Sequence, residues 1–151
     1  MTSETPGPDQ RTSMDSDTLS LAVFLRARYD EREQKAEAAA AEGPMWRSSD
    51  SGIYPSDESR HPGAIVVGPY DYLFESHGEH IADNDPQYVF DDLASKRVIL
   101  DIHHDDGRGD CAGCGLDPIG LPMHQIDECP TLLALALPFT AHSDYQEAWK
   151  A

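Results

Sequence analysis

Basic residues are scarce in this 151-residue chain: 11 Lys and Arg against 28 Asp and Glu leave a formal charge of −17 at pH 7. Such a surface repels phosphate backbones, which argues against direct binding to nucleic acid. Its acidity fits solubility or docking on a basic protein partner, with DNA mimicry as the extreme case. Long hydrophobic runs are missing too. No stretch approaches the ~20 apolar residues of a membrane-spanning helix. Met1–Ser16 has neither the basic start nor the apolar centre of a signal peptide. There is no internal repeat, no Gly-rich phosphate loop after a strand pattern, and no G-x-S-x-G. Cysteine is limited to three, an odd count that argues against a disulfide framework and for a reducing compartment, read as the cytoplasm.

What cysteine there is lies in one place. His103 and His104 precede Asp110-Cys111-Ala112-Gly113-Cys114-Gly115, and Cys129 follows after the fourteen-residue Gly115–Glu128 excursion. A Cys-x-x-Cys turn, a third Cys and one His supply the four donors of a closed tetrahedral zinc site. The predicted ligands are His103, Cys111, Cys114 and Cys129, with His104, then His124 and Asp110, as alternatives to His103. Four protein donors leave no open position, so the zinc is expected to be structural. A metal staple suits this composition. Hydrophobic residues make up 39%, and 11 Pro with 11 Gly imply much loop.

The remaining pattern predicts a mainly helical α+β protein. Met1–Ser16 reads as a disordered tail, and residues 17–151 as one small domain with a zinc-knuckle segment at 103–129. The first helix is expected over Asp17–Ala41, capped by Ser16 or Asp17 and stopped by Gly43-Pro44. Trp46 should fold back on its end. Arg47–His61 reads as irregular surface. Ile65–Val67 is a short strand expected to pair with Asp71–Phe74, with Gly52–Tyr54 as a third strand of a small antiparallel sheet. Ser76-x-x-Glu79 has the form of a capping box opening a short helix. Asp85-Pro86 opens a second long helix ending near Ile102, which delivers His103. Cys129-Pro130 opens the first helix of a C-terminal hairpin, with Leu132, Leu133, Leu135 and Leu137 buried. Ser143-x-x-Gln146 is expected to cap a last turn carrying Trp149.

Two enzymatic patterns compete with the structural zinc. His77-Gly78-Glu79 upstream of Cys111-x-x-Cys114 mimics the H-x-E…C-x-x-C of zinc deaminases, in which Glu moves protons. Asp110 stands where those enzymes have proline, and Cys129 would have no role, so a zinc-dependent hydrolase or deaminase is the alternative rather than the reading. A thioredoxin-like pair is disfavoured because Gly115 and Pro118 replace the helix such thiols require. His61, His80 and His142 read as surface or capping residues.

Several segments resemble a known family. They are Leu25–Arg28, Gly43–Arg47, His80–Ala82, Asp85-Pro86 and Ala94–Arg97, then Cys129–Leu132, Ala136–Phe139, His142–Tyr145 and Glu147–Trp149. Together they are similar to domain of unknown function 6221, a family of short actinobacterial and phage-encoded proteins, from about Asp17 onward. The resemblance implies metal ligation by a His, the Cys-x-x-Cys and the Cys of C-P-T-L, and it carries no established activity. The expectation is therefore a non-enzymatic interaction or regulatory module with an acidic surface, acting in phage–host or plasmid biology.

Overall fold

The computed structural model describes residues 19–49, 52–57, 59, 63–68 and 72–150. The expected tail Met1–Ser16, the expected caps Ser16 and Asp17, and His61 lie outside them. Helix α1 (Leu21–Ala39) is capped by Ser20, whose hydroxyl accepts from the Val23 amide at 3.3 Å. Its buried residues Leu21, Phe24, Leu25, Arg28 and Tyr29 recur at helical spacing, so one face is committed to the core. A 3-10 turn at Ala40–Glu42 tightens the end, and Gly43 stops it with φ +110°, a conformation disfavoured for residues with a Cβ.

The chain then enters a three-stranded antiparallel sheet of order β1-β2-β3: β1 (Trp46–Ser49), β2 (Gly52–Pro55) and β3 (Val66–Val67). Trp46 pairs with Pro55 and Ser49 with Gly52, while Ile53 faces Val66. Two expectations are corrected here. Trp46–Ser49 is a strand rather than irregular surface, and β3 pairs with β2 rather than with residues 72–74, which form no strand. The reason is spatial. Ile53 is fully buried at the centre, and its neighbours on both sides supply the ladder.

Helix α2 (Glu75–Asp83) packs on β1 through the buried Gly78, where an added Cβ would collide with Ser48. The capping box does not form. Phe74 holds the N-cap position without a side-chain bond, and its carbonyl accepts from His77 and Gly78 at 2.9 Å, so Ser76 lies inside the first turn. Helix α3 (Pro86–Ile102) opens as expected, with Asp85 Oδ1 accepting from the Tyr88 amide at 2.8 Å and proline in the first turn. It runs antiparallel to α1. Arg26 meets Asp101 at 3.2 Å, and Arg97 reaches back to Asp30 at 2.9 Å and Glu33 at 2.7 Å.

Helix α4 (Pro130–Ala136) completes the core with Leu132 and Ala136, both fully buried. Leu137 does not join them. It is 56% exposed, because it lies past the end of α4 in the 3-10 turn Leu137–Phe139, and Leu133 and Leu135 are only half-buried. The last turn (Glu147–Trp149) has no side-chain cap: Ser143 bonds Asp144 instead, and Gln146 donates to the Leu19 carbonyl at 2.8 Å. Trp149 is nevertheless buried, 5.0 Å from the Phe24 ring. Among the described residues no helix is long and apolar enough to cross a membrane.

One core position is imperfect. The Tyr29 hydroxyl is buried without a hydrogen-bond partner, and burial, followed by the nearby Asp92 charge, raises its pKa from 10 to about 12. An unsatisfied buried hydroxyl costs about 1–3 kcal/mol, so Tyr29→Phe is expected to raise stability by about 1 kcal/mol at neutral pH. The raised pKa favours the neutral phenol in the fold, a contribution present below pH 10 and lost as pH climbs toward about 12. The advantage of Tyr29→Phe should therefore widen over that window. Urea denaturation of both proteins at neutral pH and at increasing alkaline pH checks this, and a less stable Tyr29→Phe would mean that the hydroxyl has a partner after all.

Candidate metal centre

The segment after α3 is built to return upon itself. Asp105 Oδ1 accepts from the Gly107 and Gly109 amides at 2.7 and 3.0 Å, and Asp106 Oδ1 accepts from Arg108 at 2.8 Å. These Asx-type turns bring Cys111 back alongside Asp105, as an antiparallel bridge. Cys111 then donates its amide to the His124 carbonyl at 2.9 Å, and Ala112 donates to that of His104 at 3.0 Å. Ala112–Cys114 forms a 3-10 turn closed by Gly115. At Gly113 a Cβ would lie 2.7 Å from the Ile102 carbonyl oxygen and 2.8 Å from His103 Nδ1, so the knuckle crosses the end of α3 too closely for any side chain.

Three elements thus deliver four donors to one point. His103 occupies the C-cap of α3, Cys111 and Cys114 flank the knuckle, and Cys129 stands at the N-cap of α4. Their ligand atoms all lie within 4.8 Å of one another. His103 Nδ1 is 3.4 Å from the sulfurs of Cys111 and Cys129 and 3.8 Å from that of Cys114. The sulfurs of Cys114 and Cys129 are 3.5 Å apart. A tetrahedral ion with Zn–S near 2.3 Å and Zn–N near 2.05 Å requires separations of ~3.8 Å between sulfurs and ~3.5 Å between sulfur and nitrogen. These four edges match that tetrahedron to within a few tenths of an ångström, and the other two are no longer than 4.8 Å, so the cluster can hold a metal ion.

The electrostatics fit a cation as well. Burial, then crowding by the Cys111 and Cys129 sulfurs, pushes the Cys114 thiol up to about 12. Burial also acts upward on Cys129, but the Leu132 amide, the two neighbouring thiols and the Thr131 amide outweigh it and lower its pKa. The raised Cys114 pKa keeps a proton in the cluster, and a bound cation would favour its release. The centre is continuous with the core: Cys111 is 2% exposed and Cys129 fully buried. It is also tied to α1, whose Leu21 amide donates to Asp127 Oδ1 at 2.7 Å.

The other candidate residues lie elsewhere. His104 turns its Nδ1 to the Asp101 carbonyl at 2.9 Å, and neither it, His124 nor Asp110 belongs to the cluster. His77 packs against the Phe74 ring on α2, and Glu79 faces a polar cleft with Ser48 and Ser49. Neither joins the sulfurs, so the H-x-E…C-x-x-C arrangement is not assembled among the described residues.

The model of a family of unknown function, DUF6221, matches residues 18–151. The chain belongs to that family. No curated protein and no solved structure matches it. The matched span takes in α1, the sheet, the knuckle and the tail, so the His/Cys cluster lies wholly within the DUF6221 region.

Sequence reasoning missed one polar cluster of this DUF6221 chain. Arg28 is 7% exposed on α1, over the Phe24 ring at 5.1 Å. Its guanidinium reaches His142 at 2.6–2.7 Å, Asp144 at 3.4 Å and Glu31 at 2.7 Å. His142 is thus no ordinary surface residue: it packs edge-on against Phe24 and anchors the C-terminal segment. The arginine's helical phase, on the same face as Leu21 and Phe24, was the available signal.

Proposed function

We propose that this chain is a non-enzymatic interaction or regulatory module, clamped by structural zinc on His103, Cys111, Cys114 and Cys129. The observation that carries the reading is the tetrahedral spacing of one imidazole nitrogen and three sulfurs, two of the cysteines being buried. Four protein ligands fill a tetrahedral ion, which leaves no position for substrate or water. Zinc is favoured over other ions by the soft thiolate donors and by the tetrahedral edges.

The interaction role draws on what the clamp displays. Between Cys114 and Cys129 the chain forms a tight loop, in which Asp117 Oδ1 accepts from the Ile119 and Leu121 amides at 2.9 and 2.8 Å. That loop presents Leu116, Ile119, Leu121 and Met123 to solvent, Ile119 being 81% exposed. Apolar side chains on a rigid, metal-anchored loop in a chain of charge −17 suit a protein partner with an apolar pocket and a basic rim. The acidity disfavours nucleic acid.

The test is metal content and coordination. Protein purified without added metal is expected to carry about one zinc per chain, undiminished in Glu79→Ala. Its cobalt-substituted form should show the absorption of a thiolate-rich tetrahedral site, unchanged by added azide. A shift with azide would reveal an open position and return the hydrolase or deaminase reading with Glu79. Absence of any metal would sink the clamp.

A further inference from the structure

A second concavity lies at the far end of the α1–α3 pair. Because these helices are antiparallel, the start of α3 rests against the end of α1, roughly 25 Å along α3 from His103 at ~1.5 Å per residue. There a cleft of about 240 Å³ opens between the two helices and β1. Its walls are apolar: Ala36 and Ala39 end at Cβ, Pro86 closes one side, and the Trp46 indole stands at another. The indole is fixed, since its Nε1 donates to the Gly43 carbonyl at 2.9 Å and its backbone amide to Asp85 Oδ2 at 3.0 Å.

Val89 and the polar Asn84 also line the cleft, together with two cations. Arg32 is half-buried and Lys35 exposed, one helical turn apart, and neither is ion-paired among the described residues. By contrast, Arg26, Arg28, Lys96, Arg97 and Lys150 each sit on a carboxylate. In a chain with 28 acids for 11 bases, these two neighbouring cations leave positive charge free at the cleft. Helix pairing does not account for them: Glu31, four residues before Lys35, is taken by Arg28 at 2.7 Å. Like charges three residues apart repel, and the macrodipole acts mainly within the last turn, which holds no basic residue. The neighbouring carboxylate of Asp85 is already engaged by two backbone amides, from Tyr88 and Trp46. Apolar walls, one fixed aromatic face and a few convergent polar groups are the makings of a small-molecule site.

We propose that this cleft binds a small organic anion with a single ring: an aryl carboxylate. The ring lies against Trp46 over Ala36 and Ala39, and the carboxylate is held by Arg32 and Lys35. The volume admits one ring with a short acidic arm and is too small for a nucleotide. The site is independent of the metal clamp, and binding to it requires neither catalysis nor a protein partner.

Phenylacetate titrated into the full-length, metal-loaded chain tests this, read from the Trp46 indole N–H by NMR. The other tryptophan, Trp149, is buried beside Phe24 and serves as an internal control. Saturable binding with Kd of about 1 mM or tighter is expected, a value within reach of a ten-atom ligand. Arg32→Gln and Lys35→Gln should each weaken it at least about fivefold with unchanged circular dichroism, and Ala39→Leu should abolish it by filling the cleft. Acetate and benzyl alcohol, which lack the ring and the charge respectively, should bind at least about tenfold more weakly. No saturable shift at about 10 mM phenylacetate would overturn the proposal. So would equal binding of benzyl alcohol, which marks a greasy patch, or of acetate, which marks an adventitious ion only. Indifference to both charge substitutions would overturn it too.

Discussion

Stripping the metal, by a strong chelator under reducing conditions or by Cys129→Ser, is expected to cost at least about 4 kcal/mol of stability and to unfold the C-terminal half. Cys129 is fully buried with its sulfur 3.5 Å from that of Cys114, and the helix that opens beside it supplies Leu132 and Ala136 to the core. Without a cation the three sulfurs compete for protons, as the Cys114 thiol at about 12 indicates, and the knuckle loses what closes it. The damage should spread, because Asp127 holds the first amide of α1 and Ile126 lies in the same core. Metal loading requires ionised thiols, so it releases protons and weakens as pH falls. Calorimetry with and without chelator, followed by zinc readdition, checks the result. An unchanged melting temperature in the metal-free chain would mean that the fold does not depend on the clamp.

Phe24→Ala is expected to lose about 3–5 kcal/mol, the range for emptying a large aromatic site. Phe24 is fully buried and meets four rings from the C-terminal segment: Phe139 at 6.2 Å, His142 at 5.8 Å, Tyr145 at 6.0 Å and Trp149 at 5.0 Å. Arg28 also lies over its face. Removing the ring takes away both the packing and the surface that orients the buried guanidinium. Leu137→Ala is the matched control: the residue is 56% exposed, and its loss should stay within about 0.5 kcal/mol. Urea unfolding followed by far-UV circular dichroism separates the two. A loss below about 1.5 kcal/mol for Phe24→Ala would mean that the tail rings repack without their hub.

Local chemistry made part of this protein legible. Asp85-Pro86 and Cys129-Pro130 mark helix starts because proline in the first turn has no amide to leave unpaired and its φ is already helical. Gly43 marks a helix end because its φ of +110° suits glycine. Ser76–Glu79 and Ser143–Gln146 carry the same kind of signal and fail. The helix starts where Phe74 offers its carbonyl, and Gln146 is drawn to Leu19, 127 residues away in sequence. A capping box is worth about 1 kcal/mol, and tertiary packing outbids it.

At the candidate metal centre, donor types and spacing single out Cys111, Cys114 and Cys129, and favour His103 over His104, His124 and Asp110 as the fourth donor. The meeting of His103 Nδ1 with the sulfurs, while His104 turns to Asp101, rests on the Asp105–Asp110 turn folding the knuckle back over the helix end. The Arg28–His142 contact depends likewise on a partner far away in sequence, whereas the strand at Trp46–Ser49 pairs with its hairpin neighbour Gly52–Pro55, and among the described residues no carboxylate reaches Arg32 or Lys35. By itself, then, the sequence determined the chain's charge, its helix punctuation and its stock of soft donors, since these follow from residue identity and the nearest few neighbours. Only the tertiary structure decided which donors converge, which apolar residues stay in solvent and which cations go unpaired. Those outcomes are set by competition among distant groups for the same space and the same hydrogen bonds.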